Sequence, residues 1–266
     1  MGALKGMFSF FTMIRLDITQ KDMDAMDRNM WLTPVVGALY GVIAAVMMFA
    51  LTKYIDPLPA AVLTFFVIFA FNRFLHIDGT IDVGDGLVVA GTREDHLRAL
   101  KDSRIGAGGM AFALMIILMS ITMTSSLWPL SLMAPLFIFS SEIMAKVGMV
   151  SAAAFGVPGD GMAGNSVRNT KASSLLLAII LAVALIALFW YGIYLLEEYT
   201  TLEVAVTNNF FLMMLISLIV AVFVGLLMAL IAKKNFGMVN GDVLGATNEI
   251  TRAMVLLTFL VVITVI

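Results

Sequence analysis

Cysteine is absent from this 266-residue chain, which removes disulfides, thiolate nucleophiles, iron–sulfur clusters and the usual thiolate zinc sites. Charge is scarce as well. Asp, Glu, Lys and Arg make up 13% of the residues, against roughly 25% in soluble domains. The net charge of −2 offers no basic surface for nucleic acid. There is no 20–50-residue repeat and no low-complexity tract, which argues against solenoids and disordered arrays. The opening MGALKGMFSFFTMIR lacks a small-residue cleavage pattern after a defined apolar core, so a cleavable signal is not expected. Gly6 stands where a myristoylation motif wants Ser or Thr, so Gly2 is not expected to be lipidated.

Apolar residues fill the chain instead. They account for 61% of it, and the mean hydropathy is +1.03, which together predict an all-α polytopic membrane protein. Apolar runs near the length of a bilayer crossing fall at Leu32–Thr52, Leu58–Leu75, Ala107–Leu127, Leu130–Met149, Ser174–Leu196, Phe210–Ala232 and Ala253–Ile266. That makes about seven transmembrane helices. The last is short and reaches full length only if its helix begins inside the polar GDVLGATNEITR stretch. With the N-terminus in the cytoplasm, every Lys and Arg except Lys53 falls on the cytoplasmic side, a strong positive-inside signal. The C-terminus is then outside, and the outer loops, such as the one carrying Glu197, Glu198 and Glu203, read as plain connections. Residues 1–266 form one integral membrane domain, with an amphipathic interfacial segment at 1–30, a cytoplasmic insertion at 76–106 and a second site loop at 233–252.

The polar insertion organises the rest. From His76 to Gly109 the chain holds six of its eighteen acidic residues and both histidines. On a helix Asp78, Asp82 and Asp85, at i, i+4 and i+7, share one face. Like charges stacked in this way repel unless a cation neutralises them, and oxygen ligands without cysteine suit a hard ion such as Mg²⁺. Lys101, Arg104 and the glycines Gly106, Gly108 and Gly109 follow, with positive charge and exposed backbone N–H groups suited to phosphate. A metal–phosphate site is the simplest joint reading, against that of a solvated acidic face.

Other stretches carry weaker signals. Pro34 fits an early helical turn, and Gly37 with Gly41 allows close helix packing. His76 reads equally as a ligand or base and as a packing residue. Glu142 and Lys146, at i and i+4 in an apolar span, mark either a functional polar interior or a structural ion pair. The twenty-one methionines read as adaptable packing. The loop GVPGDGMAGNSVRNTK, with Asn165 and Arg168, suits a nucleotide-contacting loop or an ordinary connection. In KKNFGMVNGDVLGATNEITR, Asp242 and Glu249 share one helical face beside Asn240, a second pair of carboxylates on the same side of the membrane.

Taken together, His76-Ile-Asp-Gly-Thr-Ile-Asp-Val-Gly-Asp-Gly86, Lys101-Asp-Ser-Arg-Ile-Gly106 and Gly241-Asp-Val-Leu-Gly-Ala246 with Glu249 resemble the cobalamin synthase (adenosylcobinamide-GDP ribazoletransferase) family. The motifs keep the family's order and spacing, and Pro34, Gly37 and Gly41 match its first span. The resemblance implies a Mg²⁺-dependent membrane enzyme of cobalamin biosynthesis that joins adenosylcobinamide-GDP to α-ribazole or its 5′-phosphate and releases GMP. It implies Asp78, Asp82, Asp85, Asp242 and Glu249 as metal ligands and Lys101 and Arg104 on the phosphates. The hydroxyl proton goes to Asp102 or to a metal-site carboxylate such as Asp82. Substrate contacts are expected from His76, Ser103, Gly106, Asn165, Arg168 and Asn240. The expected partners are the two substrates, membrane lipid and a second copy in a homo-oligomer, with no nucleic acid; the site faces the cytoplasm of a cell membrane. The chain departs from the family pattern at Glu142, where Arg is expected, at Arg252, where Glu is frequent, and at Met13-Ile-Arg-Leu, which lacks the usual Pro. The competing readings are a CDP-alcohol phosphotransferase and an ion-coupled carrier. The first wants further Gly and Asp on the acidic helix; the second wants broken helices in paired repeats.

Overall fold

The computed structural model describes residues 2–130, 133–198 and 210–265, so Glu203 of the expected outer loop lies outside the described residues. Within them the chain is helical, without strands. Helix α1 is Gly2–Phe11, α2 Gln20–Arg28, α3 Thr33–Leu51, α4 Pro57–Phe71, α5 Leu75–Val88 and α6 Arg93–Leu100. Then come α7 Ala107–Leu127, α8 Ala134–Phe155, α9 Gly161–Asn169, α10 Ala172–Glu198, α11 Phe210–Asn235 and α12 Gly241–Val265.

Six of these, α3, α7, α8, α10, α11 and α12, are long and apolar enough to cross a bilayer. Helix α4 has 15 residues and rises only about 22 Å, short of a typical hydrocarbon core. It makes a seventh span only as a pair with α5, which is bent from it by 93°. The apolar run after Leu58 therefore turns before it becomes acidic, and α5 with its aspartates is not among the six helices that reach bilayer length by themselves. The turn puts Arg73 and Phe74 in the left-handed region, each with φ 57°, at a cost of about 1–3 kcal/mol apiece. Local bonds offset this. Arg73 Nη2 donates to Phe10 O at 2.6 Å and Ser9 O at 3.2 Å, and Met13 N donates to Phe71 O at 2.7 Å. The C-terminus of α1 is thus fastened to the bend.

The final helix starts at Gly241 and runs for 25 residues, which resolves the short last apolar run: its first turns are polar because they face protein. The amphipathic N-terminal segment is two helices packed on each other, with Thr19 and Asp22 forming a capping box on α2.

Helix α8 is the hub. It is buried along its spanning window and packs against α3, α10, α11 and α12. Small residues permit this approach: a Cβ on Gly37 would meet Glu142 O at 2.6 Å, and one on Gly41 would meet Phe139 O at 2.8 Å. The outward faces of α7, α10 and α11 are apolar, as at Leu118, Val183 and Phe223. Two loops join beneath the bundle, with Val239 N donating to Val157 O at 2.7 Å and Gly159 N to Val239 O at 3.1 Å.

Candidate active site

Helix α5 packs against α12 on one side and α7 on the other. Where α5 crosses α12, a Cβ on Gly79 would lie 2.7 Å from Asp242 Cα, so glycine is required there. This crossing brings Asp78, Asp82 and Asp242 into one electrostatic neighbourhood, although 160 residues separate Asp82 from Asp242 in sequence. Partial burial, and then the negative charges of Asp242, Asp78 and Asp85, push the Asp82 carboxyl up to about 6. Asn240 sets Asp242 in place: its Oδ1 accepts from Val243 N at 3.1 Å as an N-cap, and its Nδ2 donates to Asp242 Oδ2 at 2.7 Å.

The third aspartate of α5 has another partner. Asp85 accepts from Gly106 N at 2.6 Å and Gly109 N at 2.7 Å, satisfying N–H groups at the start of α7, where negative charge is favoured. This bond anchors the Lys101–Gly106 loop to the acidic helix. Within the loop, Asp102 accepts from Arg104 Nε at 3.1 Å, Nη2 at 2.8 Å and the backbone N at 3.0 Å. Those bonds, led by the guanidinium, pull Asp102 down to about 2. Lys101, Ser103 and Arg104 are exposed.

Glu249 is also drawn elsewhere. It pairs with Arg252 one helical turn on, and its Oε1 lies 3.6 Å from His76 Nδ1. His76 Nε2 faces Lys146 Nζ at 3.4 Å, and Arg252 Nη1 donates to Glu142 Oε1 at 3.0 Å. Aromatic rings cap the cations, Phe11 and Tyr40 for Lys146, Phe65 and Phe69 for Arg252. Tyr40 Oη donates to Phe11 O. The network contains two carboxylates and two cations around a histidine, all sealed inside the protein. Such groups inside a bundle are tolerated only when paired.

A cavity of about 120 Å³ opens between α1, α2, α5, α9 and α12, with His76, Asp78, Gly241 and Asp242 in its wall. The structure thus brings together His76, Asp78, Asp82, Asp242 and Asn240. Asn165 and Arg168 pair with each other at 3.0 Å on the exposed face of α9. Sequence reasoning passed over the buried pair of Ser166 and Asp27, bonded at 2.6 Å, where burial raises the Asp27 carboxyl above its ordinary value. It also passed over the grouping of methionines around the cavity. A polar pair spaced so far apart leaves no periodic signal; the amphipathic character of α1 was the only hint.

A family model for cobalamin-5-phosphate synthase matches residues 3–260. The chain belongs to this family. It is 36% identical to an adenosylcobinamide-GDP ribazoletransferase from Methanocella arvoryzae, over 95% of this chain and 92% of that protein. Proteins of the same name from Halorubrum lacusprofundi and Methanosarcina mazei are 29% and 28% identical, over 96% and 97% of this chain and 95% and 91% of theirs. No solved structure matches. Membership of the cobalamin-5-phosphate synthase family bears out the reading made from the three motifs, and favours neither the CDP-alcohol phosphotransferase nor the carrier.

Proposed function

We propose that the protein transfers the adenosylcobinamide phosphate group from adenosylcobinamide-GDP to α-ribazole or its 5′-phosphate, releasing GMP, at a site on the cytoplasmic face of the cell membrane. The observation that carries this reading is the meeting of Asp78 and Asp82 on α5 with Asp242 on α12, beside a loop bearing exposed Lys101 and Arg104.

Mg²⁺ fits this donor set. The three aspartates offer only oxygen, and their mutual repulsion is relieved by a cation. Among the described residues no three acidic or histidine side chains converge as a closed cage. That suits an ion held by one or two carboxylates and completed by substrate phosphates. One or two of Asp78, Asp82 and Asp242 would hold it, while Asp85 caps α7 and Glu249 balances Arg252. Bound there, Mg²⁺ supplies neutralisation of the pyrophosphate and of the charge on the departing GMP.

The acceptor's ribose hydroxyl attacks the phosphorus nearer the cobinamide. A new P–O bond forms to the ribose oxygen, the P–O bond bridging the two phosphates breaks, and GMP takes that bridging oxygen. The hydroxyl proton passes to a carboxylate at the site. Asp102, held near 2 by its bonds to Arg104, is a poor acceptor, so the carboxylate that takes the proton belongs to the group of Asp78, Asp82 and Asp242. Asp102 instead orients Arg104, whose guanidinium has five donors and keeps those not on Asp102 for phosphate. Lys101 is a second exposed cation on the same loop. The outward apolar faces of α7, α10 and α11 meet lipid and, in a homo-oligomer, a second copy.

The test is GMP release by detergent-purified protein given adenosylcobinamide-GDP and α-ribazole phosphate, with Mg²⁺ and with chelator. Metal-dependent GMP with a cobalamin product is expected. Well-folded protein that releases no GMP under either condition would overturn the reading.

A further inference from the structure

The cavity beside Asp78 and Asp242 has a composition that the phosphate chemistry does not explain. Five methionines line it, Met7, Met26, Met30, Met149 and Met162, drawn from both N-terminal helices, the turn before α3, α8 and α9. Phe10 and Phe11 add two aromatic rings. Resting on the function proposed above, we infer that this cavity is the subsite for the flat, fused-ring aromatic base of the acceptor nucleoside, with its ribose directed to the Asp78–Asp242 edge.

Three observations support the assignment. The first is chemistry: thioethers are polarisable, adjust to flat surfaces and make favourable contacts with aromatic rings. The second is size. About 120 Å³ is somewhat less than the apolar cavity of about 150 Å³ that takes up benzene, so it excludes the corrin-like macrocycle of the donor, and a flat base enters it edge-first and only in part. The third is polarity. Thr33 Oγ1 donates to Met30 O at 2.8 Å and Ser166 Oγ donates to Asp27 at 2.6 Å. The ring nitrogens of His76 face Lys146 and Glu249. These polar groups of the wall are directed into the protein, which leaves the Asp78 and Asp242 carboxylates as its polar edge. A guanine base would bury several donors and acceptors there without partners, a cost that a largely apolar base avoids.

The N-terminal helices then have a specific task. They complete the wall of an acceptor subsite, and the bonds from Arg73 to Ser9 O and Phe10 O hold α1 in position to do so.

The test compares steady-state GMP release by wild type, Met26→Phe and Met149→Phe, varying each substrate in turn, together with direct equilibrium binding of α-ribazole phosphate without donor. Filling the cavity is expected to raise the acceptor KM and Kd about tenfold or more, the size of effect one misfit methylene produces in an apolar pocket, with the donor KM within about twofold. Met26→Ala and Met149→Ala, which only remove atoms, are expected to fold and to shift preference toward the same ribotide with a larger purine base. An unchanged acceptor KM in the filled variants, or in the alanine variants if the filled ones do not fold, overturns the subsite. So does a donor KM that rises in step with that of the acceptor. Wild type that releases no GMP refutes the proposed reaction instead. In that case the binding arm still decides the subsite: the wild type must bind the ribotide, and the filled variants must lose it.

Discussion

Arg252 of α12 donates from Nη1 to Glu142 Oε1 of α8 at 3.0 Å, with both side chains only 1% exposed. From the sequence, Arg is expected in place of Glu142 and Glu in place of Arg252, and the structure sets these two residues against each other. Breaking a buried pair by removing one partner typically costs about 3–5 kcal/mol, because the other charge is left unpaired. Glu142→Arg and Arg252→Glu are each expected to lower the melting temperature sharply in detergent. The double exchange restores one cation and one anion but loses the Arg252–Glu249 pair, so it is expected to recover part of the loss. A double variant no more stable than the singles would refute the pairing.

Asp82→Asn tests the acidic helix. A folded-state pKa near 6, against an ordinary value of 3.8, means that the folded chain binds more protons than the unfolded chain between those values. Stability contributed by neutral Asp82 is therefore present in full below 3.8 and lost as pH rises through about 6. The asparagine variant stays neutral, so in chelator, without Mg²⁺, it is expected to melt at or above the wild-type temperature at pH 7.5, the difference vanishing toward pH 4. Its GMP release is expected to fall by at least about 10²-fold. Thermal scans and a discontinuous GMP assay across pH check both halves.

The carboxylates of α5 are expected to separate by role. Asp85→Ala removes the acceptor for Gly106 N and Gly109 N and is expected to cost about 1–2 kcal/mol, as loss of a helix cap does. Asp78→Asn is expected to leave the melting temperature unchanged and to raise the Mg²⁺ concentration needed for half-maximal activity. Equal Mg²⁺ dependence in the two variants would count against the division.

Asp102 and Arg104 form an exposed fork, and exposed pairs contribute little to stability. Arg104→Ala is expected to raise the KM for adenosylcobinamide-GDP by about tenfold, one charge-assisted phosphate contact. Asp102→Ala is expected to change kcat by less than about threefold, since a carboxyl near 2 makes a poor base. A collapse of kcat in Asp102→Ala would return the general base to this loop.

Much of this was readable in the linear chain because its causes are local. Crossing a bilayer is a matter of some twenty consecutive apolar residues, so α7 falls at Ala107–Leu127 as read. The spacing of Asp78, Asp82 and Asp85 follows from helical periodicity alone. The close approach expected of Gly37 and Gly41 is met by α8. The left-handed turn at Arg73 and Phe74 was not readable, because neither residue type favours it and its support comes from α1, more than sixty residues away.

The sequence by itself therefore determined the membrane class, most of the spanning helices and the family, since hydropathy, periodicity and motif order are properties of contiguous residues. Tertiary structure alone decided which charges are partners. It paired Arg252 with Glu142, gave Asp85 to α7, seated Asp242 against Gly79 and gathered five distant methionines around one cavity. The physical reason is that a charge or an apolar side chain inside a helical bundle is stabilised by whatever the packing of other helices sets beside it, and that neighbour lies far away along the chain.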